Sequence, residues 1–155
     1  MRNALRALTF FALAVTLIAR SAIAAPAAPS FAVLSIGGEA AENERHYTDT
    51  AIVKALRSRG FIADEFDDPA ADFAVLGPAI CASTGVGVLI GGTVAVERMD
   101  DREINQWATA NLELRAYDCV TNHVLAPHAA IAATYEWKWA VDRAIAVALK
   151  NVVPG

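Results

Sequence analysis

Basic residues are scarce in this sequence. Of its 155 residues, 13 are Lys or Arg against 17 Asp or Glu, and three of the thirteen (Arg2, Arg6 and Arg20) fall in the first 24 positions. Beyond residue 24 the balance is ten against seventeen, a charge of −7. Phosphate contacts need a basic face, so this argues against nucleic-acid binding and against anionic membrane surfaces. Cysteine is rarer still, with Cys81 and Cys119 the only two. No Cys follows the apolar run near the amino terminus, which argues against a lipid-anchored lipoprotein. No later stretch reaches eighteen uninterrupted apolar residues, so the mature form is expected not to span a membrane. There is no internal repeat, heptad array or interior linker, and the length suits one domain.

The sequence does carry an export segment. Arg2 and Arg6 form a positive region, residues 8–19 (LTFFALAVTLIA) an apolar run, and Ala22 and Ala24 the small residues of a cleavage site. This is the three-part layout of a secretory signal. As a helix the run would span about 18 Å, short of the roughly 30 Å of a hydrocarbon core. Residues 1–24 are therefore read as a signal peptide cleaved near Ala24, residues 25–30 as a flexible lead-in, and residues 31–155 as a single domain. The mature protein is expected in the periplasm or outside the cell.

Periodicity places the elements of that domain. Residues 31–36 (FAVLSI) form a continuous apolar run ending in Gly37-Gly38, the signature of a buried strand and turn. Tyr47, Ala51, Ile52, Ala55 and Leu56 then follow a helical stripe. Acidic residues near the start of this helix and basic ones near its end complement its dipole. Residues 61–66 resume as strand, giving a βαβ unit with parallel pairing. Residues 70–84 read as helical in part, with an interruption expected at Gly77-Pro78. Residues 85–99 (GVGVLIGGTVAVERM) are the strongest strand signal, and Gly91-Gly92 suggests a bulge or a close backbone approach. Residues 107–118 form a second long strand. A turn at residues 120–123 leads to a return strand starting at Val124. A last helix covers residues 136–152, with Trp137, Val141, Ala144, Ile145, Ala148, Leu149 and Val152 on one stripe. The expected fold is α/β, in the order β-α-β-α-β-β-β-α. It has one mixed sheet of about five strands and two main amphipathic helices packed on it.

Two strings carry a resemblance. Residues 84–94 (TGVGVLIGGTV) and 112–125 (LELRAYDCVTNHVL) are similar to the central strand and the following hairpin of an exported α/β group. That group includes the curli secretion subunit CsgG, the amino-terminal domain of TolB and small periplasmic activators of penicillin-binding proteins. Gly87 stands where the group usually has Asp, and Asn122 where it usually has Gly. Asn tolerates positive φ, so the second departure is mild. The resemblance implies a non-enzymatic domain that binds envelope components or assembles with its own copies, and it carries over no catalytic residue.

Read for chemistry, the residues yield no catalytic constellation. The glycines of residues 85–91 lie inside a strand with no Lys and no helix start after them, unlike a phosphate loop. The acidic run Asp64, Glu65, Asp67, Asp68, Asp72 lacks calcium-loop spacing and reads as a solvated strand end. His46, His123 and His128 lack zinc-site spacing. Ser35, Ser58 and Ser83 sit in no nucleophile elbow. No metal and no cofactor is expected.

Cys81 has three readings: a disulfide with Cys119, a buried free thiol, or a nucleophile paired with a histidine. Antiparallel return of the long strand would bring Cys119 to the end where Cys81 enters the sheet, which makes the bond feasible. Closing a loop of about 39 residues would stabilise by about 3 to 4.7 kcal/mol.

Trp139 lies about 200° around its helix from Trp137. With Tyr135 it is a candidate partner-contact pair, unless both pack against a loop. The expected function is that of an exported, non-enzymatic envelope module that binds envelope proteins or itself. The alternatives are a small secreted hydrolase or thiol enzyme using Cys81, and a periplasmic small-ligand carrier.

Overall fold

The computed structural model describes residues 29–69, 72–101 and 105–153. The expected signal peptide and residues 25–28 of the lead-in lie outside them. The element order is β1 (Ser30–Ser35), α1 (Glu42–Ser58), β2 (Ile62–Pro69), α2 (Phe73–Thr84), β3 (Val88–Asp101), β4 (Asn105–Asp118), β5 (His123–Val124), β6 (His128–Thr134) and α3 (Trp137–Val152). The sheet runs β2-β1-β3-β4-β5, and β6 also pairs with β4. The β1–β2 and β1–β3 pairs are parallel, and the others are antiparallel. The chain is therefore α/β with a mixed sheet, as its periodicity implies.

Alternation along the strands divides the sheet into two faces. On one face Val33, Ile90, Val94, Leu112, Leu114 and Ala130 meet the buried stripes of α1 and α3, forming the main core. On the other face a smaller cluster of Ala32, Leu34, Leu89 and Tyr117 is covered by Phe73 and Ile80 of α2. The apolar stripe of α3 is the predicted one, with Trp137 half-buried at its start.

Helix α1 begins without a Ser, Thr, Asp or Asn cap. Instead the buried Glu44 accepts a hydrogen bond from the Ala41 N–H at 3.0 Å, which satisfies one of the orphan donors of the first turn. Its other carboxylate oxygen pairs with Arg98 of β3, tying the helix start to the sheet.

Two expectations are corrected, and another, at Gly91-Gly92, is decided between its two alternatives. First, α2 runs unbroken through Gly77 and Pro78. Pro78 removes the hydrogen bond that the Ala74 carbonyl would accept, but Ala74 sits in an exposed turn. The helix is held by its sheet contacts: a Cβ on Gly77 would lie 2.8 Å from the Tyr117 ring. Second, β3 and β4 pair without a register shift from Val88↔Asp118 to Asp101↔Asn105, so there is no bulge at Gly91-Gly92. A close approach explains Gly92 instead, since a Cβ there would lie 1.9 Å from the Glu113 carbonyl oxygen. Third, the return strand at Val124 ends after two residues, and a separate sixth strand, β6, follows it.

The β4–β5 turn uses its polar residues directly. The Asp118 carboxylate accepts from the Val120 N–H at 2.8 Å and the Thr121 N–H at 3.3 Å. These bonds hold its pKa below the usual carboxylate value, the Val120 bond most of all. Asn122 takes φ 58°, the left-handed conformation that Asn tolerates.

A candidate docking surface

The sheet is covered unevenly. Helices α1 and α3 lie along one face, but α2 covers only the end of the other face near Leu89 and Tyr117. Beyond that point β3, β4 and β6 form a three-stranded extension whose second face carries no helix among the described residues. Its side chains follow the register in rows: Ala95, Asn111 and Ile131, then Glu97, Thr109 and Ala133, and at the tip Met99 opposite Trp107. Of these, Met99 and Ile131 are 64% and 70% exposed.

Trp107 and Tyr135 pack against each other at the tip, with ring centroids 4.5 Å apart and planes tilted by 42°. Both are exposed, so an aromatic pair worth about 0.5–1.5 kcal/mol beyond its area burial is displayed to solvent. Such large, rigid, partly apolar side chains are the usual anchors of protein interfaces. Sequence alone pairs Tyr135 with Trp139. The structure pairs Tyr135 with Trp107 and leaves Trp139 exposed on the outer side of α3, away from the core stripe. Trp107, Met99 and Ile131 were missed as surface residues. The register that puts Trp107 beside Met99 was legible only in the alternation of two strands taken together.

Behind this tip the third tryptophan is fully engaged. Trp137 packs edge-on against Tyr47 at 5.1 Å, with Arg98 and Lys138 over its ring at 5.9 and 5.7 Å. Tyr47 donates to Asp142 at 3.1 Å. Burial, helped by that carboxylate, pushes the Tyr47 pKa up to about 12.

A concavity of about 330 Å³ lies at the carboxyl ends of β1 and β2. It is lined by Ser35, His46, Asp49, Glu65 and Asp67, among others. Asp49 accepts from the Ile36 N–H at 2.9 Å. Burial raises its pKa to about 6, and the neighbouring Glu65 adds to the rise. The Ile36 bond, His46 and Arg45 oppose it. Crevices at this position in α/β sheets are common ligand sites. This one has an acidic lining, and among the described residues no group of three or more metal-ligating side chains converges.

The remaining candidates are dispersed. His46, His123 and His128 sit on α1, β5 and β6. Asp64, Glu65, Asp67 and Asp68 lie along β2, and Asp72 caps α2 by accepting from the Ala74 N–H. Ser35 reaches Asp67 at 3.5 Å, while the Ser58 and Ser83 hydroxyls donate to carbonyls of their own helices. Cys81 and Cys119 are bonded to each other, with Cα atoms 5.6 Å apart, joining the end of α2 to the end of β4.

No family model and no curated protein matches this sequence. Solved structures share its fold. The PelC dodecamer from Paraburkholderia phytofirmans superposes with a TM-score of 0.64 at 13% identity, over 81% of this chain and 87% of that one. Lipoprotein GNA1162 from Neisseria meningitidis gives 0.56 at 14%, over 68% and 83%. Protein XCC0632 from Xanthomonas campestris gives 0.53 at 11%, over 83% and 89%. At these identities the likeness is one of fold. It bears out the α/β fold that the periodicity and the two sequence strings imply.

Proposed function

We propose that this chain is an exported, non-enzymatic module of the cell envelope that acts by binding other envelope components or copies of itself. The observation that carries this reading is the uncovered face of the β3-β4-β6 extension, with Met99, Trp107, Ile131 and Tyr135 displayed on it. Burying such side chains against a partner would yield about 25 cal/mol per Å². Two fold neighbours support it by their descriptions, one a dodecamer and one a lipoprotein. The narrower likeness to the curli-secretion and TolB group belongs to the same proposal.

The thiol-enzyme alternative needs a free thiolate, and the Cys81 sulfur is engaged with Cys119. The ligand-carrier alternative has the Asp49 crevice as its site. Cross-linking in envelope extracts, followed by capture of the exported protein, tests these readings. Binding or self-association that falls at least tenfold on Trp107→Ala with Tyr135→Ala supports the proposal. A monomer that captures nothing sinks it, and co-purification of a small molecule lost on Asp49→Asn would favour the carrier.

A further inference from the structure

The two outer edges of the sheet are built differently. β2 carries the exposed carboxylates Asp64, Glu65, Asp67 and Asp68. An unpaired strand is a template for another chain, and charge on an edge is one of the devices that block such pairing. β6 has no such device. Its sequence is HAAIAAT, with no acidic residue, Lys, Arg or Pro, and it pairs with β4 without a register shift over all seven residues. Among the described residues its other side has no strand partner.

We propose that β6 is a self-association strand, on which a second copy of this chain pairs antiparallel about a two-fold axis at Ile131. The inference deepens the assembly reading above and rests on it. The occupant follows from charge. Pairing β2 with β2 would set carboxylate against carboxylate, which is destabilising. Pairing β2 with β6 would bring four carboxylates to a strand with no fixed cation, and would propagate without closing. Pairing β6 with β6 does neither, and it closes as a dimer. Within an otherwise acidic chain, this neutral edge is where two copies approach without that repulsion.

The residues on β6 fit such a dyad. Ile131 is the centre of the seven-residue strand, so antiparallel pairing there matches every residue: Ile131 meets its own copy, Ala130 meets Ala132, Ala129 meets Ala133, and His128 meets Thr134. No like charges face each other at neutral pH. On the open face the pairing buries Ile131, the one large apolar residue of the strand, which is 70% exposed. On the helix face the small Ala130 and Ala132 leave room for the two α3 helices. Val147 extends the apolar contact. It is half-exposed and lies about 200° around α3 from Ile145, which lines the groove between α3 and α1. Val147 therefore occupies the flank of α3 away from α1, on the side of β6.

Sedimentation of the exported protein over a hundredfold range of micromolar concentrations tests this. The wild type is expected to dimerise. Ile131→Lys should weaken the dimer at least tenfold without changing the melting curve, because the position is exposed in the monomer. Ile131→Cys should form a covalent dimer on mild oxidation, since the residue faces its own copy at the axis. Thr93→Cys, on the same face but off the edge, should not. A wild type that stays monomeric overturns the inference, and if that monomer still captures an envelope component the proposed function survives. A dimer that persists in Ile131→Lys with no cross-link at Cys-substituted Ile131 places assembly on another surface and also overturns it.

Discussion

Replacing Cys81 and Cys119 together by alanine removes the one covalent link between α2 and the sheet. The two residues are 38 positions apart. In the chain-entropy model, releasing a loop of that length restores about 4 kcal/mol of freedom to the unfolded chain at 25 °C. The lost sulfurs add to this, because both cysteines pack at the margin of the smaller core beside Leu89 and Tyr117. That second contribution is on the order of 1 kcal/mol. At about 2.1 cal/mol/K per residue, a domain of this size unfolds with an entropy near 0.26 kcal/mol/K, so the loop contribution alone lowers Tm by about 15 °C and the two together by about 19 °C. Two denaturation series decide the matter. Thermal unfolding by circular dichroism should show the larger drop for the double variant, and reductant should lower the wild type by about 15 °C while leaving the double variant unchanged. The urea m-value should rise, because the unlinked chain exposes more surface. A Tm within about 2 °C of the wild type would refute the argument. So would two titratable thiols in denatured, unreduced protein.

Two further predictions concern the backbone and the Asp49 crevice. Gly92→Ala should destabilise by about 3 kcal/mol, because its Cβ would lie 1.9 Å from the Glu113 carbonyl oxygen. Urea melts of the pair measure it, and equal midpoints would show that the strands part without cost. The Asp49 carboxyl has a folded pKa near 6 against an unfolded value of 3.8. Its protonated form favours folding, so its contribution is present below pH 3.8 and lost as pH rises through 6. Asp49→Asn, which can still accept from the Ile36 N–H, should therefore gain stability relative to the wild type as pH rises from 4 to 7. Parallel Tm-against-pH curves for the two proteins would remove the argument.

Local pattern alone sufficed for the larger elements. The stripes of α1 and α3 and the valine alternation of β3 are written in residue spacing, because burial on one face imposes one period on a helix and another on a strand. The turn at residues 120–123 was legible for a local reason too, since Asn122 tolerates positive φ, whereas the bonds of Asp118 to its N–H groups appear only in the structure. β6 was not legible. Alanine has weak strand preference, and His128–Thr134 becomes a strand because β4 offers it unpaired backbone groups and α3 leaves room only for small side chains above Ala130 and Ala132. The continuity of α2 through Pro78 was decided likewise by the sheet beneath it. The aromatic pair at the tip also belongs to the tertiary structure. Tyr135 and Trp139 are close in sequence, yet Trp139 turns outward with α3, while Tyr135 meets Trp107 through the pairing of β4 with β6. Sequence determined which segments would bury a face. Only packing decided which face was left uncovered, because that depends on where each helix ends and how far the strands beneath it extend.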